Sequence, residues 1–206
     1  MLKKEYELLK PFVEKPWLKF TFKQVKEYSK KKSKSYTYNV LGKFVKEGIL
    51  KEENAGNVNL YHLNLNYTKA QIYAGIIAEY TAWNKKHIPY DDINDLLSKI
   101  PTSFFIFAVT GSYARNKQTK GSDIDIIVIC DDCTEPKKIY AELRHACEMN
   151  IPKIHLYVFK KSELLEMLLS DKANYGKEMI NNNIIIYGGA EYFKILCEAI
   201  KNGFNG

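Results

Sequence analysis

The chain has 206 residues, enough for one ordinary domain and a smaller companion. No run approaches the roughly 18 apolar residues of a membrane span, and Met1-Leu-Lys-Lys-Glu5 lacks the apolar region of a secretory leader. The expectation is a cytoplasmic protein with no membrane partner. Cys130, Cys133, Cys147 and Cys197 are too sparse for a disulfide framework and fit a reducing compartment.

The net charge of +7 is unevenly placed. Residues 1–66 hold 14 Lys and 7 Glu, whereas residues 67–206 hold 17 basic and 17 acidic residues, so the whole excess lies in the first third. An excess confined to one segment is what a phosphate-backbone partner needs.

Lys4 to Val13 is amphipathic, with Tyr6, Leu9 and Val13 at helical spacing, and Pro11 and Pro16 are expected to mark its end. Thr21-x-x-Gln24 has the capping-box pattern and opens a helix whose Phe22, Val25 and Tyr28 share a face. After Lys30-Lys-Lys-Ser-Lys34, Ser35 is expected to cap a third helix with Val40, Leu41, Phe44 and Val45 inward and Gly48 at its end. Ile49–Glu53 and Val58–Leu63, separated by Asn54-Ala-Gly-Asn57, read as a hairpin.

Three helices and a hairpin in this order resemble a winged helix-turn-helix domain over about residues 2–64. The resemblance implies a third helix in the DNA major groove with Lys34, Tyr36, Thr37, Asn39 and Lys43 outward. Lys34 and Lys43 would meet phosphates and Asn39 an adenine edge. A domain of this shape used only for dimerisation or docking is the competing reading, and a homodimer is suggested by analogy.

Residues 67–100 read as a helical linker. Asn66-Tyr-Thr68 is placed to cap a helix running to about Lys86, with Ile72, Ile76, Ile77 and Tyr80 as its buried stripe. A second helix from Asp91 carries Ile93, Leu96, Leu97 and Ile100.

Ser103 to Thr110 is a continuous apolar run of strand length that stops at Gly111-Ser112. After ten residues, Asp123-Ile-Asp-Ile-Ile-Val-Ile-Cys130 alternates as a second strand. Residues two apart on a strand point the same way about 6.6 Å apart, so Asp123 and Asp125 can converge on a hard cation or a cation pair. Gly111 lets the backbone approach an anion, and Ser112 is expected to cap a short helix Tyr113–Asn116 whose free N–H groups face a phosphate. Walker-type and dinucleotide-type glycine patterns are absent.

Gly111-Ser112, ten residues, then Asp123-Ile-Asp125 resembles the signature of the DNA polymerase β nucleotidyltransferase superfamily, especially its minimal nucleotidyltransferase branch. Arg115 and Gly121-Ser122 also look like that branch, and the likeness runs from about Phe104 to Gly189. It implies Mg2+ or Mn2+ on Asp123 and Asp125, an NTP substrate, with ATP favoured, cradled by Gly111 and Ser112 with Arg115 near its charge, and a protein or nucleic-acid acceptor. It also implies a mixed sheet. The expected class is therefore α+β: a winged helix domain at 1–66, the helical linker at 67–100, and a nucleotidyltransferase-type mixed β-sheet domain flanked by helices at 101–206.

Beyond the Asp-x-Asp strand, helices are expected at Glu135–Met149, Ser162–Leu169, Lys172–Asn181 and Ala190–Lys201, with strands at Lys153–Phe159 and Ile184–Tyr187. Active members of the family carry a third acidic residue on the later strand. The matching position here is His155, and a neutral imidazole is a poorer magnesium ligand than a carboxylate. Either His155 acts as base or softer ligand, or Asp131, Asp132 or Glu163 supplies the charge from a loop, or transfer is lost and nucleotide binding kept. The last case is a nucleotide-sensing DNA-binding regulator or an antitoxin-type partner-binding protein. Cys130-x-x-Cys133 with His145 and Cys147 offers four zinc-type ligands, but residues two apart on a helix point to different sides, so the thiols read as buried.

Overall fold

The computed structural model describes residues 4–206. The chain divides into two compact units, one running through Tyr80 together with Ala190–Gly206, the other spanning Thr81–Gly189.

In the first unit a 3-10 turn, Lys4–Leu9, leads into α1, Lys10–Glu14. Pro11 does not end this helix; it sits in the first turn, where its missing N–H costs nothing. Thr21 closes a full capping box on α2, Phe22–Tyr28: its hydroxyl accepts from Gln24 N–H at 3.2 Å and its N–H donates to Gln24 Oε1 at 2.8 Å. Thr21→Ala is expected to lower stability by about 1 kcal/mol in urea denaturation, as loss of such caps does.

Helix α3, Lys34–Lys46, is capped by Ser33, whose Oγ accepts from Tyr36 N–H at 3.2 Å. The expected cap, Ser35, lies inside the helix. Gly48, at φ +73°, ends it: its N–H reaches the Val45 carbonyl and that of Ile49 the Phe44 carbonyl, both at 2.9 Å, which satisfies two of the helix's last carbonyls.

Three strands complete this part: β1 (Phe20–Thr21), β2 (Leu50–Ala55) and β3 (Val58–Leu63), antiparallel in the order β1-β3-β2. The pair β2 and β3 matches the expected hairpin. β1, too short to carry an alternation, was not expected.

α4, Thr68–Ala82, belongs to this unit as far as Tyr80 and is not a linker. Its small residues Ala70 and Ala74 and Ile77 are buried, whereas Ile72, Ile76 and Tyr80, the expected inner stripe, are exposed. Small residues let a helix approach its neighbours closely, and Lys69 pairs with Glu47 at 3.3 Å while the rings of Tyr6 and Tyr73 lie 5.6 Å apart. α10, Gly189–Lys201, and the tail after it complete the unit: Cys197 Sγ lies 3.6 Å from Asn66 Oδ1, and Trp17 packs edge-on to Phe204.

The second unit is built on a four-stranded mixed sheet, order β6-β5-β4-β7: β4 (Phe105–Thr110), β5 (Ile124–Cys130), β6 (Ile154–Lys160) and β7 (Ile184–Tyr187). β5 and β6 are parallel; β4 is antiparallel to β5 and to β7. One face, carrying Phe107, Val109, Ile124, Ile126, Val128 and Ile154, packs on α5 (Tyr90–Lys99) through Ile93 and Leu96 and on α7 (Pro136–Met149) through Ile139 and Leu143. The segment before α5 is tied to the same unit, since Trp83 Nε1–H donates to the Ile186 carbonyl at 3.0 Å. The expected linker 67–100 is thus divided between the two units. No helix of the described residues is long and apolar enough to cross a membrane.

Candidate active site

Residue parity along the sheet decides what meets at the site. Thr110 pairs with Asp125 across β4 and β5, and Asp125 pairs with His155 across β5 and β6, so these three share one face. Asp123, immediately before β5, has the same parity.

The imidazole of His155 lies between the two carboxylates. Its Nε2 is 3.3 Å from Asp123 Oδ2 and its Nδ1 3.5 Å from Asp125 Oδ1. The structure therefore brings Asp123, Asp125 and His155 to one point. Among the described residues no three His, Cys, Asp or Glu side chains form a ready-made cation cage. Two converging carboxylates still present the hard oxygen donors that a divalent cation takes, with the rest of its shell coming from outside the protein.

Gly111 follows β4 directly at φ +64°, and a β-carbon on it would stand 1.9 Å from Asp125 Oδ2. The turn and the carboxylate are thus packed against one another, and only glycine fits. The helix after the strand, α6, runs Gly111–Ala114 with Thr110 as its N-cap, so Ser112 lies within it and does not cap it. Arg115 ends the turn, its Nη1 3.4 Å from Glu178 Oε1 in a half-exposed pair of small energetic weight.

Three residues of the site carry no signal in the sequence. Tyr175 opens α9 (Tyr175–Asn181), where Asn174 Oδ1 accepts from Lys177 N–H at 3.0 Å. Its hydroxyl lies 3.3 Å from Thr110 Oγ1 and its ring centroid 4.6 Å from that of Tyr157. Burial pushes its hydroxyl up to about 12, so it stays protonated at physiological pH. Tyr175 and Glu178 join Thr110, Gly111, Arg115 and Asp125 around a cavity of about 120 Å³. Tyr157 adds an exposed ring two residues along β6 from His155.

The loop carboxylates do not supply the missing charge. Asp131 accepts from Cys133 N–H, Thr134 N–H and Thr134 Oγ1–H, each at 2.9 Å, and closes the turn after β5. Asp132 Oδ1 accepts from Ser162 N–H at 2.9 Å, and Glu163 Oε2 from Lys160 N–H at 2.7 Å, both at the start of α8, Lys161–Leu169. All three follow the C-terminal ends of β5 and β6, while Asp125 and His155 lie at the other ends, about 15–20 Å away at 3.3 Å per residue.

Hydrogen bonds hold Asp131, chiefly through Thr134, and Asp132, through Ser162, below the usual carboxylate range. A depressed carboxyl contributes stability above its unfolded value near 3.9 and loses it as pH falls through the folded value. Asp131→Asn is therefore expected to lower the melting temperature at pH 7 and to narrow that deficit as pH falls below the unfolded value near 3.9, measured by calorimetry across pH.

Of the thiols, Cys130 and Cys147 are buried, whereas Cys133, expected inside, is exposed. In the first unit the candidate nucleic-acid residues divide. Lys34, Tyr36, Asn39 and Lys43 are exposed on α3, but Thr37 is fully buried and its hydroxyl donates to the Ser33 carbonyl at 2.9 Å. Thr37 shares the inner face with Val40 and Leu41, so it does not look outward. Lys43 is held by Glu5 at 2.8 Å.

Residues 105–177 match the family model of the nucleotidyltransferase domain. No curated protein matches the chain. A solved structure described as "Crystal structure of the toxin-antitoxin with AMP-PNP" aligns with 16% identity and a TM-score of 0.37, over 55% of this chain and 87% of that one.

Proposed function

We propose that the second unit transfers a nucleoside monophosphate from an NTP, ATP being favoured, to a hydroxyl of a protein or nucleic acid. The observation that carries this reading is the convergence of Asp123 and Asp125 beside a turn that admits only glycine, within the stretch that matches the nucleotidyltransferase domain. Asp123 and Asp125 would hold Mg2+ or Mn2+, which when bound neutralises phosphate charge and orients the displacement. Gly111 and Ser112 bring backbone against the phosphates, and Arg115 places a guanidinium nearby.

His155 then has a role that a carboxylate would fill differently. His155, whose ring nitrogens lie 3.3 and 3.5 Å from Asp123 and Asp125, would take the proton of the attacking hydroxyl as general base while pyrophosphate leaves.

For the first unit we infer DNA contact through α3, with Lys34, Tyr36 and Asn39 outward and Lys43 exchanging Glu5 for a phosphate. The confinement of the whole positive excess to residues 1–66 and the strand and helix order around α3 support a winged helix reading. Binding should weaken linearly in log–log plots against salt, and a constant indifferent to salt would retire this part of the reading.

His155 in place of a carboxylate also favours a second reading, a nucleotide-sensing DNA-binding regulator or antitoxin-type partner-binding protein without transfer. The deciding experiment incubates the protein with each α-labelled NTP and Mg2+ or Mn2+, with and without protein and RNA acceptors, beside the Asp123→Asn/Asp125→Asn variant. Label moved by the wild type alone supports transfer. Metal-dependent NTP binding with no label moved supports the regulator.

A further inference from the structure

Among the described residues, the sheet of the second unit ends at β6 with no further strand beside it. The register fixes which backbone groups of that strand are left over. The Lys153 carbonyl accepts from Ile124 N–H at 2.9 Å, and Asp125 lies opposite His155 in a parallel ladder, so the backbone groups of His155 and Tyr157 bond to β5. Those of Leu156 and Val158 therefore point away from β5, and among the described residues no strand pairs with them.

Alongside this edge runs α7, and between the two lies a groove of about 320 Å³. Tyr140, Arg144 and Glu148 form its helical wall, and Lys153, Leu156 and Tyr157 its strand side. Where the chain enters β6, Met149 and Ile151 are 69% and 93% exposed, placing two apolar side chains in solvent near the edge. A helix standing beside an open strand edge, with aromatic and apolar lining, is the geometry that takes an extended peptide as one more strand.

We propose that the groove between α7 and the free edge of β6 binds an extended, carboxylate-rich polypeptide segment by strand addition. Arg144 and exposed Lys153 outweigh Glu148 along the groove, and Glu148 is already engaged by Arg144 at 3.3 Å, which leaves Lys153 to select negative charge. Backbone pairing with Leu156 and Val158 supplies affinity, and the basic side chains supply selection. Because His155 belongs to the same strand, the added segment runs about 4.8 Å from β6 and turns alternate side chains to the face that holds Asp125. In this the inference rests on the protein-acceptor reading: the segment is the acceptor's docking strand.

The test uses fluorescein-labelled synthetic peptides of alternating Val and Glu, the matching Val and Lys peptide, and the acidic peptide N-methylated on alternate nitrogens in each of the two registers. Fluorescence anisotropy is expected to show binding of the acidic peptide, at least about tenfold weaker binding of the basic one, and loss in one methylation register only. Amide exchange at Leu156 and Val158 should slow in the complex. Arg144→Glu/Lys153→Glu should invert the charge preference without loss of fold. Equal binding of both charge types, equal effect of both methylation registers, or unaltered exchange at Leu156 and Val158 overturns the proposal. Label transfer is scored separately on the protein and RNA acceptors, since these peptides carry no hydroxyl side chain: peptide binding with no label moved to any acceptor leaves the groove standing and removes the enzymatic reading, and transfer without peptide binding does the reverse.

Discussion

Gly111→Ala is expected to abolish nucleotidyl transfer and to destabilise the second unit. Two costs combine. At φ +64° a β-carbon meets the backbone steric penalty of about 1–2 kcal/mol, and at 1.9 Å from Asp125 Oδ2 it overpacks the site, a further ~1–3 kcal/mol. The clash is relieved only by moving the carboxylate that the proposed chemistry depends on. Gly121→Ala is the matched control, because nothing lies within 4 Å of its added carbon; its effect should stay within about 0.5 kcal/mol. Urea denaturation and Mn2+ titration calorimetry of both variants settle the matter. A Gly111→Ala protein with unaltered metal affinity would show that Asp125 is not held against the turn in solution.

His155→Asp is expected to act in the opposite direction on metal affinity. The ring that now separates Asp123 from Asp125 would be replaced by a third carboxylate, raising Mg2+ affinity by at least about tenfold, since hard cations prefer oxygen to nitrogen. Without metal, three carboxylates at one point repel, so the apo protein should melt lower than wild type and recover on adding Mg2+. His155→Ala separates ligand from base: removal of a general base lowers transfer by about 10²–10⁴-fold, with metal affinity little changed. If His155→Asp neither binds Mg2+ more tightly nor melts lower, the side chain of residue 155 does not share the space of the carboxylate pair.

The strand, turn and paired carboxylates were readable because each has a local cause: a continuous apolar run, a glycine at its end, and a period of two. The Thr21-x-x-Gln24 box was readable for the same reason, its partners being three residues apart. What escaped depends on distant chain. Tyr175 enters the site through a contact with Thr110, 65 residues away, that no spacing encodes. β1 exists only because β3 pairs with its two residues. The apolar residues of α4 are spread over more than one face, so the large Ile72, Ile76 and Tyr80 suggested the wrong inner stripe; Ala70, Ala74 and Ile77 are the buried ones, and Ile72 and Ile76 lie outside. Thr37 misled because a threonine on a polar helix looks outward until its hydroxyl finds the carbonyl of Ser33.

The first unit is assembled from two separated stretches of chain, and the second from one continuous stretch. During synthesis Thr81–Gly189 is therefore complete before Ala190 exists, whereas the hydrophobic surface that receives Phe193, Leu196 and Phe204 must wait for them. At ribosomal rates of 5–20 residues per second those last segments take about one to three seconds to make. A message truncated after Gly189 would therefore release a chain that holds the whole of the second unit and lacks part of the basic first one.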